Sequence, residues 1–225
     1  MGPDFSECPI DGIINSVKNI SDINKVIKSF IEITDNENSL NTSEEIKHIM
    51  RLVEILYSLI DINHEELEYE NALNLTTNFI NLFNNLINQK NSWNYMTNSE
   101  MNEIASQILL YIQFTSFILS CNQYNSHTNV ISNENIIVET YNIDFSEDII
   151  FGANGSYITI PKNFNNISNT ICNNSAVAAL INKLYSFLLN GLQDEQQINT
   201  DIIAFSVTNS NESIELSDGL KASIR

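Results

Sequence analysis

Hydrophobic residues in the first two thirds of the chain recur at steps of three and four. Ile46, Ile49, Met50, Val53, Leu56 and Ile60 form one such stripe, the spacing of a helix that buries one face. It predicts a helix over 43–60. Ala72, Leu75, Phe79, Leu82 and Leu86 predict another over 66–88, and Met101, Ile104, Ile108, Ile112 and Thr115 a third over 99–120. An earlier helix, over 13–33, is expected to be interrupted near Ser21 and Asp22. Thr42 with Glu45, and Thr97 with Glu100, have the spacing at which a hydroxyl and a carboxylate close the first turn of a helix reciprocally. From Ile13 to Phe151 there is no Gly and no Pro, as expected of helices joined by short polar loops.

After a polar stretch at 122–133 the period changes. ENIIVETYNI (134–143) is rich in β-branched residues and reads as a strand, and SYITI (156–160) as a second, stopped by Pro161. Leu180, Leu184 and Leu188 return to helical register and predict one helix over 176–189, ended by Asn190-Gly191. Residues 201–208 and 213–217 read as two strands around a polar turn at 209–212, and 220–224 begins one more. The fold class expected is α+β: an N-terminal antiparallel helical bundle followed by an incomplete, mainly antiparallel β-sandwich with one helix. A handful of short strands leaves the last of them few neighbours, so closing strands are expected from outside this sequence.

Charge narrows the partners. Ten Lys and Arg stand against 28 Asp and Glu, a net charge of -18. Such a surface repels phosphate backbones and anionic headgroups, so no nucleic acid is expected as a partner. No run approaches the roughly 18 uninterrupted apolar residues of a membrane helix, and direct membrane insertion by this segment is not expected. No phosphate loop, Cys-x-x-Cys or His-Glu-x-x-His is present. The stretch 35–46 has acids near calcium-loop spacing, but Leu40 and Ile46 stand where Gly and Glu are required. Glu65, Glu66, Glu68 and Glu70 read as a solvated helix start. No cofactor or metal is expected.

Seven Asn-x-Ser/Thr sequons are candidate glycosylation sites: Asn19, Asn41, Asn74, Asn154, Asn166, Asn173 and Asn211. With 36 Asn and 36 Ser plus Thr residues in the chain, about six would arise by chance, so the sequons alone do not place it outside the cell. The three cysteines, Cys8, Cys121 and Cys172, fit no zinc spacing and leave the redox compartment open.

NQKNSWNYMTNSEMNEIASQILLYIQFTSFILS (88–120) resembles the segment of latrophilins in which a Trp opens a helix and a polar Ser/Thr-Glu turn leads into an Ala- and Leu-rich helix. Trp93, Met96, Ser99, Glu100 and Ala105 fall at matching positions. ENIIVETYNID and SYITIPKNF are similar to the strands that follow, SAVAALINKLYSFLL to the single helix of the β subdomain, and IIAFSVTNSNESIELSDGLKASI to the paired strands leading toward the cleavage region. GPDFSECPIDGIINSV resembles the join from a small cysteine-rich hormone-receptor module. In order, these are the parts of the GAIN domain of latrophilin-like adhesion G-protein-coupled receptors, and the resemblance runs along nearly the whole chain.

The resemblance implies a module remnant over 1–12, a helical subdomain A over 13–121 and a truncated β-rich subdomain B over 132–225. It also implies an extracellular, oxidising setting, in which Cys121 and Cys172 are a candidate disulfide and two unpaired thiols remain the alternative. The partners implied are the proteolysis-site segment and seven-helix region of a parent receptor, and extracellular protein ligands. That family cleaves itself at His-Leu-Thr or His-Leu-Ser, where the histidine activates the hydroxyl for attack on the preceding carbonyl. Here His48 precedes Ile49-Met50, His64 precedes Glu65-Glu66 and His127 precedes Thr128-Asn129. No catalytic residue is therefore expected. Competing readings are the equivalent region of a polycystin-like channel protein and an intracellular helical scaffold.

Overall fold

The computed structural model describes residues 17–37, 39–63, 67–123, 128–142, 148–153, 156–160, 175–181, 202–209 and 212–213. Four long helices come first: α1 (Ile20–Thr34), α2 (Ser43–Asn63), α3 (Tyr69–Ile87) and, after the short α4 (Lys90–Asn94), α5 (Asn98–Cys121). Seven strands follow: β1 (Thr128–Ser132), β2 (Ile136–Asn142), β3 (Ile149–Ala153), β4 (Ser156–Ile160), β5 (Ser175–Ile181), β6 (Ile202–Asn209) and β7 (Glu212–Ser213). The class is α+β.

The helix ends follow from local chemistry. Asn19 caps α1, its Oδ1 accepting from the Asp22 amide, which places the expected interruption near Ser21 at the true start of the helix. At α2 the Glu45 carboxylate accepts from the Asn41 and Thr42 amides at 2.6 and 2.9 Å, while the Glu45 amide donates to Thr42 Oγ1 at 3.4 Å. Thr97 and Glu100 make the same reciprocal pair at α5. Both capping boxes expected from sequence are formed.

Cross-helix contacts fix the directions. Asn78 donates to Asn24 Oδ1 (2.8 Å), and Asn85 donates to the Ile31 carbonyl and to Thr34 Oγ1 (both 3.4 Å), so α1 and α3 run parallel. Thr76 donates to the Thr115 carbonyl at 2.8 Å while the Phe83 ring stacks on Tyr111 with centroids 6.3 Å apart, which sets α5 antiparallel to α3. The Tyr57 ring lies 4.8 Å from Tyr111 and 4.3 Å from Phe114, and Lys47 pairs with Glu100, so α2 runs with α5. Consecutive long helices thus alternate in direction, an up-down-up-down bundle. Phe79, Phe83 and Trp93 are among its largest buried side chains; burying each aromatic contributes on the order of 1.5–3 kcal/mol.

Strands β1, β2, β5, β6 and β7 form one antiparallel sheet in that order, and β3 pairs with β4 in a separate hairpin. The helix expected over 176–189 is corrected by the structure: residues 175–181 are strand β5, paired along its length with β2 on one side and β6 on the other. Backbone pairing on both edges overrides the helical tendency of SAVAALI. Strand β1 lies in the stretch expected to be a polar loop, and β3 supplies the partner of β4. Residues 182–189 and 220–224 lie outside the described residues.

Helix α5 is apolar enough by length and composition to cross a membrane, yet here it is the central element of the core. It packs against α3 within the bundle and against β2, β5 and β6 of the sheet. Ile136 and Val138 of β2 are fully buried and belong to the same apolar cluster as the helices. Bundle and sheet therefore share one core.

Candidate functional site

The feature that sets this molecule apart from a bundle with a sheet appended is the polar joint between them. Asn81 and Asn84 of α3 and Asn88, its C-cap, lie along one face, three and four residues apart. The β1–β2 turn, Asn133-Glu134-Asn135, rests on that face. Asn133 Nδ2 donates to Asn81 Oδ1 at 2.9 Å. Asn84 Oδ1 accepts both the Asn135 backbone N–H (3.0 Å) and Asn135 Nδ2 (3.1 Å), and Asn88 Oδ1 accepts a further bond from Asn135 Nδ2 at 3.0 Å. Asn88 Nδ2 reaches Glu134 Oε2 at 3.3 Å. Asn135 is only 1% exposed, so its own donors are shielded from water, where an unmade bond is costly, while the Asn88–Glu134 bond lies at the exposed rim.

A second fastening holds the other end of the hairpin. Gln123, just beyond α5, accepts at Oε1 from Asn129 Nδ2 and Thr140 Oγ1, both at 2.9 Å, and donates from Nε2 to the Thr140 carbonyl at 3.4 Å. Tyr69, at the start of α3, donates its phenolic O–H to Asn129 Oδ1 at 2.7 Å. The hairpin is thus bonded to α3 at its turn and to α3 and the α5 end at its open end.

Within the bundle, Gln89 latches the α1–α2 connection. Fully buried, it accepts from the Leu40 amide at 3.0 Å and from Ser39 Oγ at 3.3 Å, and donates to the Thr34 and Asn36 carbonyls at 3.0 Å each. Trp93, the aromatic of α4, donates its indole N–H to the Leu86 carbonyl at 2.8 Å and closes the α3–α4 corner.

A groove of about 340 Å³ runs between α2 and α5, lined by Lys47, Arg51, Glu54, Glu100, Glu103 and Gln107 among others. Lys47 bonds Glu44 at 2.7 Å and also Glu100. The Lys47 ammonium, followed by the Thr97 amide and hydroxyl, holds the Glu100 carboxyl down to about 2. Glu100, and next Glu44, in turn raise Lys47. Two cations face three acids here, so the groove concentrates no charge for an anionic ligand. Among the described residues no group of three metal-ligating side chains forms.

The sequence-derived candidates are dispersed. Asn19 caps α1, Asn41 is exposed ahead of α2 and Asn74 is exposed on α3. Asn154, Asn166, Asn173 and Asn211 lie outside the described residues. Cys121 ends α5 and is disulfide-bonded; Cys8 and Cys172 lie outside the described residues. His48 is half-buried on α2, and His64 and His127 are outside. Sequence reading did not single out the joint. The one signal for it was a stripe of Asn on α3 at helical spacing, carried by a chain with 36 asparagines.

No protein-family model matches the chain, and no curated protein matches it in sequence. Among solved structures it is similar to the full extracellular region of zebrafish Gpr126/Adgrg6, at a TM-score of 0.53 and 15% identity. The likeness covers 92% of this chain and 28% of that one, so the chain spans less than a third of the length of its structural neighbour. At that identity the likeness is one of fold.

Proposed function

We propose that the chain is an extracellular stalk domain of an adhesion G-protein-coupled receptor, with the helices as the GAIN subdomain A and the strands as subdomain B. The observation that carries this reading is the backbone likeness to the extracellular region of Gpr126/Adgrg6 over nearly the whole chain. The local resemblance around Trp93 to Ala105 supports it independently, because Trp93 and the Thr97–Glu100 cap do structural work at that corner. The chain acts as a scaffold: it holds the proteolysis-site segment and tethered agonist of a parent receptor and passes extracellular ligand binding to the seven-helix region. It does no chemistry of its own, since none of its histidines precedes Leu-Ser or Leu-Thr. A Cys121–Cys172 disulfide tying the end of α5 to the segment ahead of β5 fits the same oxidising setting.

Two measurements test this. An antibody to the folded chain should label intact, unpermeabilised cells of the source organism. The transcript should continue into a Cys- and Trp-rich segment with His-Leu-Ser or His-Leu-Thr and then seven apolar spans. Labelling confined to permeabilised cells, or a transcript without those spans, overturns the assignment.

A further inference from the structure

The groove between α2 and α5 has an apolar floor and polar sides. Met50 and Ile104, both almost fully buried, form the floor. Toward the start of the two helices its charges are already satisfied. Lys47 is bonded to Glu44 and Glu100, and the Glu100 carboxylate also accepts from the Thr97 amide at 2.8 Å in the α5 cap. The remaining polar groups are different. Arg51 and Glu54 of α2 and Glu103 and Gln107 of α5 line the same groove, and among the described residues their side chains make no hydrogen bond or ion pair. Arg51, Glu54 and Glu103 are exposed, and Gln107 is half-buried.

An apolar floor with an unpaired carboxylate on each side suits a Lys or Arg side chain, whose stem lies on apolar atoms while its head stays with the charges. The Arg51 guanidinium and the Gln107 amide are hydrogen-bond donors left over for main-chain carbonyls, which any peptide brings with it. An anionic ligand fits worse, because Lys47 is held by two carboxylates and Arg51 alone would face it. The charge of the whole chain, -18, acts in the same direction: it draws in a basic partner from a distance and repels both an acidic one and a second copy of itself.

We propose that the α2–α5 groove docks a basic segment of a partner protein, with one Lys or Arg side chain seated between Glu54 and Glu103. The ammonium or guanidinium head pairs with these two carboxylates, its stem covers Met50 and Ile104, and the flanking main chain bonds Arg51 and Gln107.

The test is titration of the isotope-labelled 225-residue chain with an acetylated, amidated Ser-Lys-Ser-Lys-Ser peptide, followed by amide chemical shifts. The largest shifts should fall on the groove residues of α2 and α5, and affinity should drop severalfold between about 20 and about 300 mM salt, as exposed charges are screened. Glu54→Gln combined with Glu103→Gln should weaken binding severalfold. Glu32→Gln combined with Glu37→Gln removes the same charge from exposed positions outside the groove and should leave the affinity within twofold; circular dichroism should show both variants folded. A matched Ser-Glu-Ser-Glu-Ser peptide should move none of these resonances. No shift in the groove at millimolar Lys peptide, equal weakening by the two double variants, or equal binding of the Glu peptide overturns the proposal. Any of these outcomes leaves the receptor reading standing, because the measurement concerns the groove alone.

Discussion

Single side chains with several partners decide how firmly this fold is specified, and they are amides. Replacing Asn84 with Ala leaves the backbone N–H of the buried Asn135 without its acceptor and its side-chain amide with Asn88 Oδ1 alone, which costs about 1–3 kcal/mol. Urea unfolding should show that loss, and hydrogen exchange should show the Asn135 amide as the one whose protection falls most. Gln89→Ala acts in the same way on the Leu40 amide, and an unchanged exchange rate there would contradict the latch. Two titrations follow from the side-chain environment. Glu100 is held below its ordinary value of 4.5, down to about 2, so its contribution is complete above about pH 4.5 and is lost as pH falls toward 2. Glu100→Gln should flatten that acid limb of the stability curve. Burial first, then the charge of Glu54 and the neighbouring Tyr57, pushes the Tyr111 phenol up from 10 to about 12. Its contribution is complete below pH 10 and is lost as pH rises to about 12. Tyr111→Phe should therefore be relatively more stable than the parent protein near pH 11.

Elements explain which parts of the structure the sequence disclosed. The long helices were legible because each has an apolar stripe three or four residues apart, and α2 and α5 also have a Thr and a Glu at capping distance. Thr97→Ala should accordingly destabilise by about 1 kcal/mol, read as a lower thermal midpoint with the helical signal otherwise intact. Strand β5 was misread because its sequence has good helix formers and its leucines continue in helical step. What fixes it as a strand is pairing with β2 and β6, contacts 33 or more residues away from one and at least 21 from the other in the chain; no local window contains them. Strand β1 was missed because TNVIS sits at the sheet edge, where exposure alternates along the strand but the apolar Val130 is on the exposed side and the polar Asn129 on the half-buried side, so no apolar–polar alternation marks it in the sequence. The joint was hidden for another reason. Asn81, Asn84 and Asn88 are ordinary solvent-facing residues until a turn 50 residues later settles on them.

At the scale of the molecule, the continuity of the apolar cluster from α1 to β2 makes bundle and sheet one folding unit. Unfolding followed by Trp93 fluorescence, which reports on the bundle, should coincide with unfolding followed by a probe in β2. Val138→Ala should lower both midpoints together, by the equivalent of about 1–3 kcal/mol; separated transitions would show that the helices stand without the strands. One margin of the sheet is β1, whose turn into β2 makes five hydrogen bonds with Asn81, Asn84 and Asn88. At the opposite side of the sheet, among the described residues, β7 pairs with β6 through Thr208–Ser213 and Asn209–Glu212. A load entering the sheet through the β1–β2 hairpin passes straight into α3 by way of that turn, without crossing the interior strands.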